Sequence, residues 1–545
     1  MSTGIRQAPR TDPLAALRDT VAGAAAAVAG TAAAPAGVVL ERTRKSRHGD
    51  FATNAAMVCA PVARDNPRNV ASKIADLLSA GPLGEVLVSA EVAGPGFLNL
   101  RLSDAWYARA VSAVLAGEGG FGRGCAESPK RVNIEFVSAN PTGPMHLGHG
   151  RNAAYGDALC RVLEFAGHEV EREFYVNDFG SQVARFGASL AARSRGEQPP
   201  EDGYQGVYVD EIASAIPGAA DLSERELADL GVELMLQRIG ATLQRMRVGI
   251  DTWSSERALH ADDRFATALR VLGEAGHLYE HEGALWLRTT TFGDDKDRVL
   301  RRGTGEYTYF ATDIAYHADK RTRGFQRLID VWGADHHGYI GRMKAAFQAL
   351  GGDPGDFEPV IMQLVNLTIG GERMQMSKRT GEFVTVDELL DDIGTDALRF
   401  FMVQRSHDTT MDLDVALARE QSDKNPVYYV QYAHARICSI LEKAGGAPPA
   451  AVTAAHDLHA SERALIRLLC EFPDEVAETA LRRAPHRLTI YSRELAAGFS
   501  AFYRDCKVVG EEPAIEVFRA GLCEATRQTL ACSLDLVGVT APERM

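Results

Sequence analysis

The sequence predicts an α/β protein in three parts: a small α+β unit, a larger unit built on a parallel sheet, and an all-α unit. Three observations carry that expectation. A strand, a helix and a second strand follow one another within about fifty residues from Arg131, which is a βαβ unit and implies a parallel sheet. Helices and two alternating strands fill the first 116 residues, and from Asp387 nearly every window has helical periodicity. At 545 residues the chain exceeds one ordinary hydrophobic core. The expected units are residues 1–116, 117–386 and 387–545.

Residues 13 to 29 and 66 to 80 read as helices, and "GEVLVSAEVAGPGFLNLRL" alternates as two strands punctuated by Gly and Pro. Glycine and charge accumulate over 117 to 131, the mark of a linker. "RVNIEFVSA" alternates Val132, Ile134 and Phe136 as a strand. "RNAAYGDALCRVLEFAG" then runs at helical spacing to a stop at Gly167, and "HEVEREFYVND" returns to strand. Residues 183 to 290 read as a charged, largely helical insertion that interrupts the sheet. "RLIDVWGADHHG" restores strand character before a helix ending near Gly351. After Asp387 come "VDELLDDIGTDALRFFMVQRS", "NPVYYVQYAHARICSILEKAG" and, past a Pro/Ala break at 446 to 454, further amphipathic helices.

Composition bounds the function. Hydrophobic content of 46% with 24% charged residues is that of a globular chain. The net charge of −14 means that any contact with nucleic acid must use local basic patches. Eight cysteines show no CxxC or zinc spacing and read as reduced thiols of a cytoplasmic protein. The uncharged run from Thr20 to Leu40 is Ala and Gly with a proline, too poor in Leu, Ile and Phe for membrane insertion, and reads as a helix and turn.

The densest chemistry sits in "PTGPMHLGHG", residues 141 to 150, between a strand and a helix. Backbone N–H groups and the positive helix end there favour an anion. At this corner neither GxGxxG nor GxxxxGK[ST] is present. His146 and His149, three apart, share one side of the first helical turn and can donate to phosphate oxygens. They could equally be solvated, or metal ligands, although no Cys, Asp or third His nearby completes a shell. A second polar loop, "GGERMQMSKRTGEF" at 370 to 383, carries Met376, Ser377, Lys378 and Arg379.

An HxGH corner after a first strand and a distant MSK loop after a later one resemble the two signature motifs of class I aminoacyl-tRNA synthetases, which close over ATP. Gln375 stands where the second motif begins with Lys. The segments "EFVSANPTGPMHLGHGRNAAYGD", "YVNDFGSQ", "YTYFATDIAYHADK", "WGADHHGYIGR", "DALRFF", "NPVYYVQYAHAR" and "SLDLVGVTAPERM" together resemble bacterial-type arginyl-tRNA synthetases from about residue 45 to 545. The resemblance implies a Rossmann-like catalytic domain with an inserted connective segment, an N-terminal domain on the tRNA elbow and a helical DALR-type domain on the anticodon. It also implies dependence of amino-acid activation on bound tRNA. A small-molecule nucleotidyltransferase shares the HxGH corner but has no use for the helical domain.

An arginine substrate needs acids and other acceptors matched to its planar guanidinium. The resemblance assigns the arginine site to Ser138, Ala139, Asn140, His149, Glu256, Tyr309, Asp313 and Asp335. In it Tyr309, Asp313 and Glu256 face the guanidinium, and Asn140 with Asp335 holds the α-amino group; Glu135 braces the strand. It assigns ATP to His146, Gly148, His149, His337, Met376, Ser377 and Lys378, with His146, His149 and Lys378 as catalytic groups. Mg²⁺ is expected to arrive with ATP, and no dedicated metal site is expected. The implied partners are tRNA(Arg), L-arginine and ATP, with no membrane, for a monomer.

Overall fold

The computed structural model describes residues 12–43, 48–261, 263–370, 372–373, 384–446 and 448–545. The first unit begins with α1 (Pro13–Ala29), whose start is set by Pro13 and by the Asp12 carboxylate accepting the Leu14 and Ala15 N–H groups, and whose end is Gly30 in the left-handed region. Strands β1 (Leu40–Arg42) and β2 (Phe51–Thr53) precede α2 (Ala55–Ala63) and α3 (Pro67–Ala80). Strands β3 (Leu87–Ala93) and β4 (Phe97–Leu102) complete an antiparallel sheet in the order β1-β2-β4-β3. Phe51, Leu98, Leu100 and Leu102 face Leu17, Val21, Ile74 and Leu78 of the helices in one core. Helix α4 (Asp104–Ala116) leads out, and residues 117–130 carry no helix or strand.

The second unit holds a five-stranded sheet of β5 (Arg131–Glu135), β6 (Glu169–Val176), β7 (Thr252–Ser255), β11 (Arg327–Gly333) and β12 (Phe357–Met362). All four pairings are parallel, in the order β12-β11-β5-β6-β7. From β5 the chain builds outward to β6 and β7, then crosses back to β11 and β12 on the other side. The switch point of the sheet therefore lies between β5 and β11, and beyond the carboxyl ends of the strands there is where parallel sheets of this kind bind ligands. Helix α5 (Leu147–Ala166) packs over this point with Gly156 against β5, since a Cβ at Gly156 would stand 2.3 Å from the Phe136 ring.

Helices α6 (Ser181–Ser194), α7 (Val207–Ala215) and α8 (Glu224–Arg245) leave the sheet between β6 and β7. After α9 (Glu256–Ala261) and α10 (Arg264–Glu274), strands β8 (Leu278–His281), β9 (Ala284–Leu287) and β10 (Arg298–Arg301) form a separate antiparallel sheet. Helix α11 (Tyr309–Thr322) precedes β11, and α12 (Ile340–Ala349) links β11 to β12. The expected helical insertion over 183 to 290 is thus corrected. It contains the parallel edge strand β7 and the β8–β9 hairpin, strands of four residues whose alternation is too short to register against flanking helices. The expected strand through Ala139 is also corrected: it stops at Glu135, because Val137 (φ 69°) and Ser138 (φ 38°) turn into the left-handed region.

Strand β13 (Val365–Ile369) pairs with β14 (Glu372–Arg373) and, in parallel, with β15 (Met411–Asp414). After Asp387 the chain is nearly all helix, as expected, with β15 the exception among the described residues; "MDLD" alternates buried and exposed over only four residues. Helix α13 (Val386–Val403) breaks at Gly394, φ 76° and ψ 167°, and after the short α14 (Val415–Arg419) comes a bundle of α15 (Pro426–Lys443), α16 (Ala460–Arg482), α17 (His486–Asp505) and α18 (Pro513–Asp535). The bundle packs on the first unit through Arg463 to Asp104 at 2.6 Å and Arg467 to Asp50 at 3.0 Å. On its surface Tyr428 and Tyr432 stack at 6.1 Å with Arg436 over Tyr432, whereas Tyr429 is half-buried toward Ser500.

Candidate functional site

The corner after β5 is organised by its own histidines. His146 is the N-cap of α5, and its Nδ1 accepts the N–H groups of Gly148 at 3.1 Å and His149 at 3.4 Å. His149 Nδ1 in turn accepts the His146 N–H at 3.3 Å, and the two rings stack 3.6 Å apart. An Nδ1 that accepts cannot carry the proton, so both neutral rings hold it on Nε2. Burial and the neighbouring His146 push His149 down to about 3, so that ring stays neutral at physiological pH. The corner therefore offers two imidazole Nε2–H donors. This corrects the expectation of free backbone donors there, since the Gly148 and His149 N–H groups are taken by the cap. Gly148 contributes room, because a Cβ on it would stand 3.1 Å from the His146 ring.

The strand ends supply the other wall. Ser138 Oγ donates to Glu135 at 2.9 Å and accepts from the Tyr175 N–H at 3.1 Å. Val137, a β-branched residue at positive φ, donates its N–H to Asn152 at 2.7 Å. Each such left-handed residue costs on the order of 1–3 kcal/mol and persists only where partners over-determine it. Ala139 is buried, and exposed Asn140 accepts from Asn177 at 3.2 Å. Beyond β11, Asp335 is exposed and pairs with His336 at 3.1 Å, and His337 is exposed on the same 3₁₀ turn.

Acids gather between these walls. Glu256 directly follows β7 and is 3% exposed; Asp313 lies one turn into α11. Burial and the charge of Asp313 push Glu256 up to about 7, against a hydrogen bond from Tyr175. Burial pushes Asp313 up to about 6, although the Tyr339 hydroxyl donates to it and His317 is near. No Lys or Arg pairs with either acid among the described residues; Glu256 has only His260, at 3.9 Å. Glu135 is different in kind: fully buried Lys320 bridges it at 2.7 Å and Asp330 at 3.0 Å. Tyr309 opens α11 at 65% exposure, its hydroxyl lying toward Gly180, where a Cβ would meet it at 3.9 Å.

Met376, Ser377 and Lys378, with Gln375, lie outside the described residues. Their downstream flank is defined: Thr385 forms an antiparallel bridge with His146, and the Val386 N–H donates to Met145 O at 2.9 Å. The chain that leaves the second loop is therefore fastened to the first corner.

Sequence reading missed Tyr175, Asn152 and the Lys320–Asp330–His317 group, in which His317 contacts Asp330 at 2.7 Å and the Asp313 carbonyl at 2.7 Å. One signal was available: Asp330 stands in the apolar run "RLIDVW", and a charge there needs a buried partner.

Comparison with known proteins finds similarity along most of the chain. Residues 15–102 match the model of the arginyl tRNA synthetase N terminal domain. Residues 110–211 and 230–434 match that of the class I (R) tRNA synthetase catalytic domain, and 430–545 that of the DALR anticodon binding domain. The chain is 45% identical to an arginine–tRNA ligase of Moorella thermoacetica over 553 aligned residues, covering 97% of this chain and 98% of that one. It is 44% identical to one from Bacillus subtilis, covering 93% and 94%. The solved Thermus thermophilus arginyl-tRNA synthetase superposes with a TM-score of 0.76 at 26% identity, covering 97% of this chain and all of that one. With three domain models in order and near-complete coverage of such relatives, this chain belongs to the arginyl-tRNA synthetase family.

Proposed function

We propose that the protein activates L-arginine with ATP, giving arginyl-adenylate and pyrophosphate, and then passes the arginyl group to the 3′ end of tRNA(Arg). The observation that carries this reading is the pair Glu256 and Asp313: two acids held above their ordinary range, without a Lys or Arg partner among the described residues, on a sheet whose first corner holds two imidazoles protonated on Nε2. A bound guanidinium supplies the missing cation, and its planar fork suits two carboxylates.

In the first step a carboxylate oxygen of arginine attacks the α-phosphorus of ATP, and the bond to the bridging oxygen breaks to release pyrophosphate. In the second, the terminal 2′-hydroxyl of the tRNA attacks the arginyl carbonyl, and AMP leaves. Positioning and charge stabilisation carry both steps. His146 and His149 donate from Nε2 to phosphate and ribose, and Lys378 neutralises the departing pyrophosphate. Ser138, Ala139, Asn140 and Asp335 hold the amino-acid end, with Tyr309 beside the guanidinium; Gly148, His337, Met376 and Ser377 adjoin the nucleotide. Mg²⁺ comes bound to ATP.

The reading includes the boundaries 1–116, 117–386 and 387–545, with the first unit on the tRNA elbow and the last on the anticodon, for a monomer in the cytoplasm. The test is ATP–pyrophosphate exchange with each of the twenty amino acids, with and without total tRNA. Exchange with arginine alone, enhanced by tRNA, is expected. Exchange with glutamate, glutamine or cysteine, or without any amino acid, overturns the reading.

A further inference from the structure

We propose that Asn152 is a positioning residue for adenylate formation, a clamp joining the two strand ends that diverge at the switch point. The inference rests on the function proposed above. Asn152 lies on α5, 7% exposed, with its Oδ1 accepting the Val137 N–H at 2.7 Å and its Nδ2 donating to the Val331 carbonyl at 3.0 Å. One carboxamide thus ties the end of β5 to that of β11. Only a group with an acceptor and a donor can do both; a carboxylate of the same shape keeps the first bond and loses the second.

What the clamp holds is strained. Val137 and Ser138 both have positive φ, and a β-branched residue does not stay there unless its neighbours fix it. Beyond that turn Ser138 Oγ is tied to Glu135 and to the Tyr175 N–H, so the direction of Ala139 and Asn140 follows from it. Asn152 is also three residues past His149, on the same side of α5, and on the helix that His146 caps. One helix therefore sets the imidazoles and the strand ends together. Loosening the clamp shifts the arginine carboxylate against the α-phosphorus while each ligand keeps its own contacts, which lowers turnover and leaves binding nearly intact.

The experiment is arginine-dependent pyrophosphate exchange on the full chain with tRNA present, normalised to active-site titre, for Asn152→Leu and Asn152→Asp. Asn152→Leu should lower kcat about a hundredfold, the scale of a misplacement near 1 Å, with KM for ATP and arginine changed less than about threefold. Asn152→Asp, which keeps the acceptor for Val137 but loses the donor to Val331, should recover only part of that loss. Glycine carries no penalty at positive φ, so the deficit of Asn152→Leu should also shrink severalfold when measured in a Val137→Gly background. That comparison, made against Val137→Gly alone, decides the matter if Asn152→Leu by itself does not fold. The proposal is overturned by a normal kcat per active site in Asn152→Leu, by Asn152→Asp as active as the wild type, or by losses that simply multiply with Val137→Gly. Failure of the wild-type chain to exchange with arginine overturns the proposed function instead.

Discussion

Glu256 and Asp313 show how a side chain's chemistry depends on what is left out of its surroundings. Each is pushed toward its protonated form by burial, and Glu256 also by the charge of the other, so if the proposed arginine site is right, binding must expel a proton. The free protein binds more protons than the complex between about pH 6 and 7, so affinity for arginine falls as pH falls through that window. A Kd about tenfold weaker at pH 6 than at pH 8 is expected, with proton release measurable by calorimetry in buffers of different ionisation enthalpy. Glu256→Gln should flatten the profile. Asp313→Asn should raise the arginine KM on the order of a hundredfold through loss of a charged acceptor, with ATP changed about threefold or less; equal effects on both ligands move Asp313 out of the pocket. Lys378→Ala should keep arginine binding but slow single-turnover adenylate formation at least about a hundredfold. These side chains were named from family resemblance, and nothing in their local spacing set Glu256 beside Asp313. Tyr175 and Asn152 went unseen for a related reason: a Tyr in a strand and an Asn in a buried helix look like packing until their partners, distant in sequence, are known.

Elements were legible where their pattern was long and their punctuation chemical. Helix α5 runs from a histidine cap to Gly167 because side-chain acceptors and a left-handed glycine satisfy its ends. Four-residue strands such as β7 and β15 exist because a neighbouring edge recruits them, and edges are not written in a local window. The break in α13 was hidden as well: a helical pattern runs through "DDIGTDALRFF", and only the backbone at Gly394 shows the turn. Its conformation is one that glycine alone adopts freely, so Gly394→Ala should cost on the order of 1–3 kcal/mol. Gly240→Ala, inside α8 with open space around the new Cβ, should gain about 0.5–1 kcal/mol. Urea unfolding of both variants checks the contrast, and similar midpoints for the two would contradict it.

At the scale of the molecule, one buried guanidinium joins the second unit to the third. Arg399, in the "DALR" segment, donates to Asp157 of α5 at 2.6 Å, to the Met246 carbonyl after α8 at 2.7 Å, and to the Val537 carbonyl after α18 at 3.1 Å. Gly538 is required beside it, because a Cβ there would fall 2.0 Å from the guanidinium. Arg399→Met should lose roughly 3 kcal/mol, since the buried Asp157 then keeps only Arg161 at 2.7 Å and Arg172 at 3.8 Å among the described residues, and should expose the chain end to limited proteolysis before the sheet unfolds. An unchanged proteolysis rate would mean that other contacts carry the junction. By itself the sequence determined the fold class, because periodicity, caps and a strand–loop–helix corner are local and repeat at fixed spacing. Through resemblance it also named two acids that pair with no Lys or Arg among the described residues. The convergence of those parts was decided by tertiary structure alone. Parallel strands cross over before they pair, so the β5 and β11 ends, Glu256, Asp313 and the flank of the second loop meet only once the sheet has closed, and burial then sets their charge.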